Sequence, residues 1–308
     1  DATDPHMLFD RVRGRYDYMS SDATTVETTD TNSLQRFLKQ GQLIGNADAM
    51  NTSMESFVSW DWFIESTGAG TTLDAGSIDS VCLADTTGGF SVFTTTLGAS
   101  ASTVYTAAHG LSAVPKFWIA KDVTNGSGPY NCYHVGLTSP PEDRNIKLNT
   151  LLAEEDNDLV WGGTAPTSSL ISFSTGSWGT SKGLIVWAWA EIEGFSAFGS
   201  YTGNGLADGP MIFTGMTPTW ILIKNTSRAG REWELYDNKR DPLNPNTESL
   251  YPDQTNAEST LGAIDFLSNG FKMRSTDTLQ NQDGDTMIYV AFASNPFGGA
   301  STTPATAV

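Results

Sequence analysis

The feature that most constrains this chain is that it repeats itself. Pro115-Lys116-Phe117-Trp118-Ile119-Ala120-Lys121 is echoed by Pro218-Thr219-Trp220-Ile221-Leu222-Ile223-Lys224. A tyrosine follows each lysine by twelve residues, Tyr133 and Tyr236, and Leu184-Ile185-Val186-Trp187-Ala188-Trp189-Ala190 is echoed by Met287-Ile288-Tyr289-Val290-Ala291-Phe292-Ala293. All these landmarks share one offset of 103 residues. A common offset across separated landmarks means that two segments are built on one structural plan.

An incomplete third copy occupies the N-terminus. Leu8-Phe9-Asp10-Arg11-Val12-Arg13 matches Leu235-Tyr236-Asp237-Asn238-Lys239-Arg240, and Phe37-Leu38-Lys39-Gln40-Gly41 matches Phe266-Leu267-Ser268-Asn269-Gly270. Val58-Ser59-Trp60-Asp61-Trp62 fits the closing strand, and the offsets run from 227 to 230. Nothing in this copy corresponds to the openings at 90–121 and 198–224, so the chain is expected to begin inside a domain of a longer polypeptide. The matches divide the sequence into an incomplete first β repeat (1–65), a linker (66–76), a second repeat (77–195), a third (196–297) and a small-residue tail (298–308) expected to be flexible.

Within each copy, short runs rich in Val, Ile, Thr and aromatic residues alternate with Gly/Asn/Asp/Ser turns. No stretch of a dozen residues carries a helical period, and Ser33–Lys39 has room for one or two helical turns at most. Units of about 100 residues with many short strands predict an all-β protein of tandem antiparallel β-sandwich domains. The strands depart from the usual alternation of a sheet with one wet face. Phe117 and Ile119 point one way, Trp118 and Ala120 the other, and all four are apolar; residues 184–190 and 287–293 behave likewise. Both faces therefore need cover, from loops, from the neighbouring copy or from another chain. The last option predicts a homo-oligomer.

The net charge of −18 and the pI near 4.3 repel phosphate backbones, which argues against nucleic-acid partners. No apolar run approaches the roughly 20 residues that span a bilayer, so membrane insertion is not expected. Cys82 and Cys132 fit no zinc spacing and read as two unpaired thiols, or alternatively as one bridge.

Candidate chemistry is sparse. Trp60/Trp62 and Trp187/Trp189 each place two indoles on one side of a strand, where they could stack on sugar rings; the apolar neighbours favour a core ladder instead. Glu191 and Glu193 have the residue types of a glycosidase pair. The third copy has Ser294 and Pro296 at those positions, so no repeat-wide mechanism exists. The acidic turns 154–158 and 281–285 offer oxygen ligands without the twelve-residue calcium pattern, and read as solvated turns. His6, His109 and His134 accompany no nucleophile elbow, and Gly203-Asn204-Gly205 has no helix after it to cradle a phosphate. Arg11, Arg13 and Arg15 are expected to form local ion pairs. No catalytic, cofactor-binding or metal-binding residue is expected, and no binding residue is assigned.

Five segments of the third copy, Phe198–Gly205, Pro218–Lys224, Leu235–Pro242, Ile264–Lys272 and Tyr289–Phe297, together resemble a tandem-repeat domain of tailed-phage virion proteins. Such proteins are common in marine and cyanobacterial phages and tail-fibre-like. The second copy departs at Cys132-Tyr133-His134-Val135, where the pattern has Leu-Tyr-Asp. The resemblance implies a non-enzymatic virion component, a tail-fibre or host-attachment module, with other virion proteins, a host surface glycan and copies of itself, as a trimer, for partners. The alternatives are a capsid-decoration or head-fibre protein and, third, a polysaccharide depolymerase.

Overall fold

Strands form where the β-branched and aromatic runs lie, and turns where Gly, Asn and Asp interrupt them. The computed structural model describes residues 5–39, 41–64, 68–124 and 128–294. The first repeat supplies β1 (Met7–Asp10), β2 (Gly14–Ser20), β3 (Thr28–Thr29), β4 (Leu34–Leu38), β5 (Gly41–Ile44) and the short α1 (Asp48–Asn51). The middle of the chain supplies β6 (Thr71–Leu73), β7 (Ser80–Asp85), β8 (Phe90–Thr96), β9 (Val104–Ala108), β10 (Pro115–Asp122), β11 (Asn131–His134), β12 (Arg144–Lys147), β13 (Glu155–Asp156), β14 (Leu170–Ser174), the short α2 (Thr175–Trp178) and β15 (Gly183–Ala190). The third repeat supplies β16 (Ser196–Thr202), β17 (Met211–Phe213), β18 (Trp220–Asn225), β19 (Trp233–Asp237), β20 (Ser249–Leu250), β21 (Ile264–Leu267), β22 (Gly270–Met273) and β23 (Thr286–Phe292). The fold is all-β, with antiparallel pairing between its strands.

Two large sheets carry the repeat. One runs β13-β12-β11-β10-β15-β8-β7-β6 and the other β16-β23-β18-β19-β20. The order β11-β10-β15-β8 in the first reappears as β19-β18-β23-β16 in the second. Register recurs as well. Trp118 opposes Ala188 and Tyr133, while Ile221 opposes Ala291 and Tyr236; Lys121 opposes Ile185, while Lys224 opposes Ile288. Each member of these sets lies 103 residues from its counterpart.

The doubly apolar strands are covered on both faces within the chain. Outward, Trp118, Ala120 and Val186 pack under the β9–β14 pair with Ile171 and Phe173, and Ile221, Ile223 and Tyr289 pack under β17-β22-β21 with Ile212 and Phe271. Inward, Phe117, Ile119, Ile185 and Trp187 of one large sheet meet Leu222, Trp233, Ile288 and Val290 of the other in a shared core. The cover sought in the sequence thus comes from each copy's own small sheet and from its neighbour, so these faces supply no reason for a second chain. At about 1.5–3 kcal/mol per fully buried large apolar side chain, the shared core is a major part of the stability.

Three expectations are corrected. Ser33–Lys39 makes no helical turn: β4 pairs with β5 as a hairpin, because the matching Phe266–Gly270 plan is itself a hairpin. The segment expected to be a linker contains β6, whose Thr71–Leu73 extends the large sheet by pairing with β7. The segment 58–62 lies in no strand, since the first repeat has no counterparts of β10 and β8 to flank it. Residues 66 and 67 of the expected linker and the 298–308 tail lie outside the described residues.

Candidate functional site

The recurring polar motif of the repeat turns out to be a lock on a turn. In the third repeat Asp237 Oδ1 accepts the backbone N–H groups of Lys239 and Arg240, while the Arg240 guanidinium bonds Asp237 Oδ2 at 2.6 Å, the Leu235 carbonyl and Glu258. In the first repeat Asp10 accepts Arg13 N–H, and the Arg13 guanidinium bonds Asp10 Oδ2 at 2.5 Å, the Leu8 carbonyl and Glu27. The two aspartates are buried, so each needs its arginine. The second repeat solves the same turn differently. His134 Nδ1 accepts the Gly136 N–H, leaving Nε2–H to donate to the Tyr289 carbonyl of the facing sheet at 2.9 Å. Burial lowers the His134 pKa to about 4.

The repeated lysines are locks too. Lys121 Nζ donates to the Thr24 carbonyl at 3.0 Å and to the Gly128 carbonyl, over the Tyr130 ring; Lys224 Nζ donates to the Arg231 carbonyl. Both are fully buried, and desolvation brings each ammonium down to about 8.

The other sequence candidates fall into place as architecture. Trp187 and Trp189 are buried, and Trp189 stacks on Phe117 with ring centroids 5.3 Å apart. Trp62 is a wedge between the large sheets, with its ring edge-on to Trp189 at 5.7 Å, Trp220 at 5.5 Å and Phe292 at 5.4 Å; Trp60 packs against the same core. Glu191 accepts the Phe198 N–H at the junction of the repeats. Three carboxylates of the acidic turns are paired with cations: Glu155 with Lys147 at 2.6 Å, Asp156 with Arg144 at 3.0 Å and Asp285 with Arg228 at 2.7 Å. Among the described residues no cluster of His, Cys, Asp and Glu is placed to hold a metal. His109 is buried between the Leu111 N–H and the Thr167 carbonyl, and desolvation lowers its pKa. Cys82 and Cys132 are both free and buried. Arg13 forms the ion pairs expected of it; the Arg11 guanidinium also lies over the rings of Phe37 and Phe63, and that of Arg15 over the ring of Tyr16. His6 Nε2–H donates to the Gln254 carbonyl at 3.0 Å.

What sequence reasoning missed is a polar cleft of about 320 Å³ beside β11 and β12 of the second repeat. Its lining includes two ion pairs, Lys182–Asp122 at 2.9 Å and Lys147–Glu155, and the amides Asn131 and Asn145, joined by a 2.8 Å bond from Nδ2 of Asn145. Trp178, whose Nε1–H is held by the Val160 carbonyl, forms one wall. The two cations and two carboxylates cancel, so in a chain of net charge −18 this surface is locally neutral. Paired charges and amides suit hydrogen bonding to an uncharged polar ligand better than proton transfer. These residues come from five elements, β10, β11, β12, β13 and α2, and from the loop before β15, and no local pattern announces them.

Residues 1–296 match a family described as a domain of unknown function, DUF7483. The chain belongs to that family. Comparison with curated proteins and with solved structures finds no match. The match runs across all three repeats, in keeping with the shared core that joins them.

Proposed function

We propose that the chain is a structural component of a tailed-phage virion, a tail-fibre or other host-attachment module without catalytic activity that works as a homo-oligomer. The observation that carries this reading is that the residues recurring from repeat to repeat are spent on architecture: strand registers, Asp–Arg turn locks and buried lysines. The resemblance of the third repeat to phage virion domains supports the same conclusion, and the acidic surface disfavours a nucleic-acid partner. The neutral polar cleft is the place for a host surface glycan, each contact weak and the multivalent array strong.

Immunogold labelling of purified virus particles tests the reading. Label at the tail supports attachment, label over the capsid transfers the chain to decoration, and particles without label remove it from the virion. Release of reducing sugar from host polysaccharide by the purified chain would instead establish a depolymerase.

A further inference from the structure

We propose that the cleft beside β11 and β12 takes an uncharged sugar unit, held by hydrogen bonds, and discriminates against acidic sugars. This deepens the attachment reading and rests on it for the source of the sugar.

Charge is the first argument. In the lining, Lys182 pairs with Asp122 at 2.9 Å and Lys147 with Glu155 at 2.6 Å. A ligand bearing a carboxylate or phosphate would have to break one of these pairs, and it would approach against the field of a chain of net charge −18. An uncharged ligand meets neither obstacle.

The second argument is an unanswered acceptor. Asn145 is fully buried; its Nδ2 donates to Asn131 Oδ1, while its own Oδ1 receives no donor. A buried acceptor without a donor is costly. The cleft therefore favours a ligand that brings O–H groups, the amide turning slightly to receive one. The Lys147 ammonium has three N–H groups and gives one to Glu155, so it can donate to a ligand oxygen without leaving its partner. A hydroxyl both donates and accepts, which suits a lining where donors and acceptors stand side by side. Pro129 and Trp178 supply apolar surface for the C–H face of a ring. At about 320 Å³ the cleft is at the small end of ligand sites, which run to about 1,000 Å³, so it takes a short piece of a glycan.

The repeat plan does not require this lining. At the positions 103 residues further on, Asp122, Asn131 and Lys182 are replaced by Asn225, Glu234 and Asp285, and Asn225 bonds Asp285 at 3.0 Å where the second repeat has its ion pair.

The test titrates the full chain with methyl glucoside, galactoside, mannoside and N-acetylglucosaminide, and with glucuronate and galacturonate, following amide signals by nuclear magnetic resonance. At least one neutral glycoside should saturate with a dissociation constant below about 10 mM, shifting signals of β11, β12 and α2, and the matching uronate should bind at least tenfold more weakly. Ser177→Trp, at an exposed position of the lining, should weaken binding at least tenfold without changing thermal unfolding. Asp122→Asn, which leaves Lys182 without its carboxylate, should narrow the gap between neutral and acidic sugar at least threefold. No binding by any neutral glycoside, shifts elsewhere on the chain, binding indifferent to Ser177→Trp, a uronate that binds the wild type better than its neutral partner, or an unchanged gap in Asp122→Asn would each overturn the inference, while label on the particle would still uphold attachment. Particles without label would remove the attachment reading and leave sugar binding in the cleft as measured.

Discussion

Asp10 and Asp237 show how a recurring residue can be legible while its purpose is not. Their spacing to Arg13 and Arg240 is plain in the sequence; that both arginines fold back onto a buried turn depends on Glu27 and Glu258, which lie on later strands or loops with no fixed spacing. Removing one partner leaves a buried charge alone, so Asp237→Ala and Arg240→Ala should each cost about 3–5 kcal/mol. The double variant should cost less than the sum, measured by urea unfolding. His134, at the equivalent position, makes the second repeat pH-sensitive. Its native value near 4 lies below the unfolded value of 6.5, so between them the unfolded chain binds a proton that the native chain refuses. Stability from this site is therefore present above pH 6.5 and falls as pH drops towards 4, by at most about 1.4 kcal/mol per pH unit. His134→Asn keeps an acceptor for the Gly136 N–H and should flatten that part of the profile; parallel curves for the two proteins would refute the assignment.

At the scale of elements, strand existence was readable from β-branched and aromatic runs, but neighbours decided which runs became strands. Residues 58–62 have the closing-strand sequence and no partners, whereas 71–73 have linker composition and a partner in β7. Gly270 and Gly41 put the same point in energetic form. Both adopt positive φ, +158° and +118°, so alanine is disfavoured at either. At Gly270 the methyl would also strike the Ile212 carbonyl and break the β17–β22 pairing. Gly270→Ala should cost about 2–4 kcal/mol, against about 1–2 kcal/mol for the backbone strain alone at Gly41→Ala. Equal losses in thermal unfolding would mean that β17 does not pack there.

For the molecule as a whole, the sequence showed that both faces of the central strands needed cover but not which element would supply it, because that depends on how one repeat turns against the next. The answer is a stack in which two large sheets share a core and the first repeat is tied across it. Trp62 wedges between the sheets, and Lys121 reaches the Thr24 carbonyl. The neutral cleft was equally illegible, being assembled from Asp122, Asn145 and Lys182 only after folding. If the core is shared, damage in one repeat must be felt in the other. Leu222 belongs to the third repeat and packs in the same cluster as Cys132 of the second. Leu222→Ala should cost about 2–5 kcal/mol. Calorimetric unfolding of the wild type and of Leu222→Ala is the most direct measurement. A shared core predicts one transition that moves down as a unit, with reaction of the buried Cys132 thiol accelerating in step. Two transitions, of which only one moves while Cys132 stays protected, would contradict it.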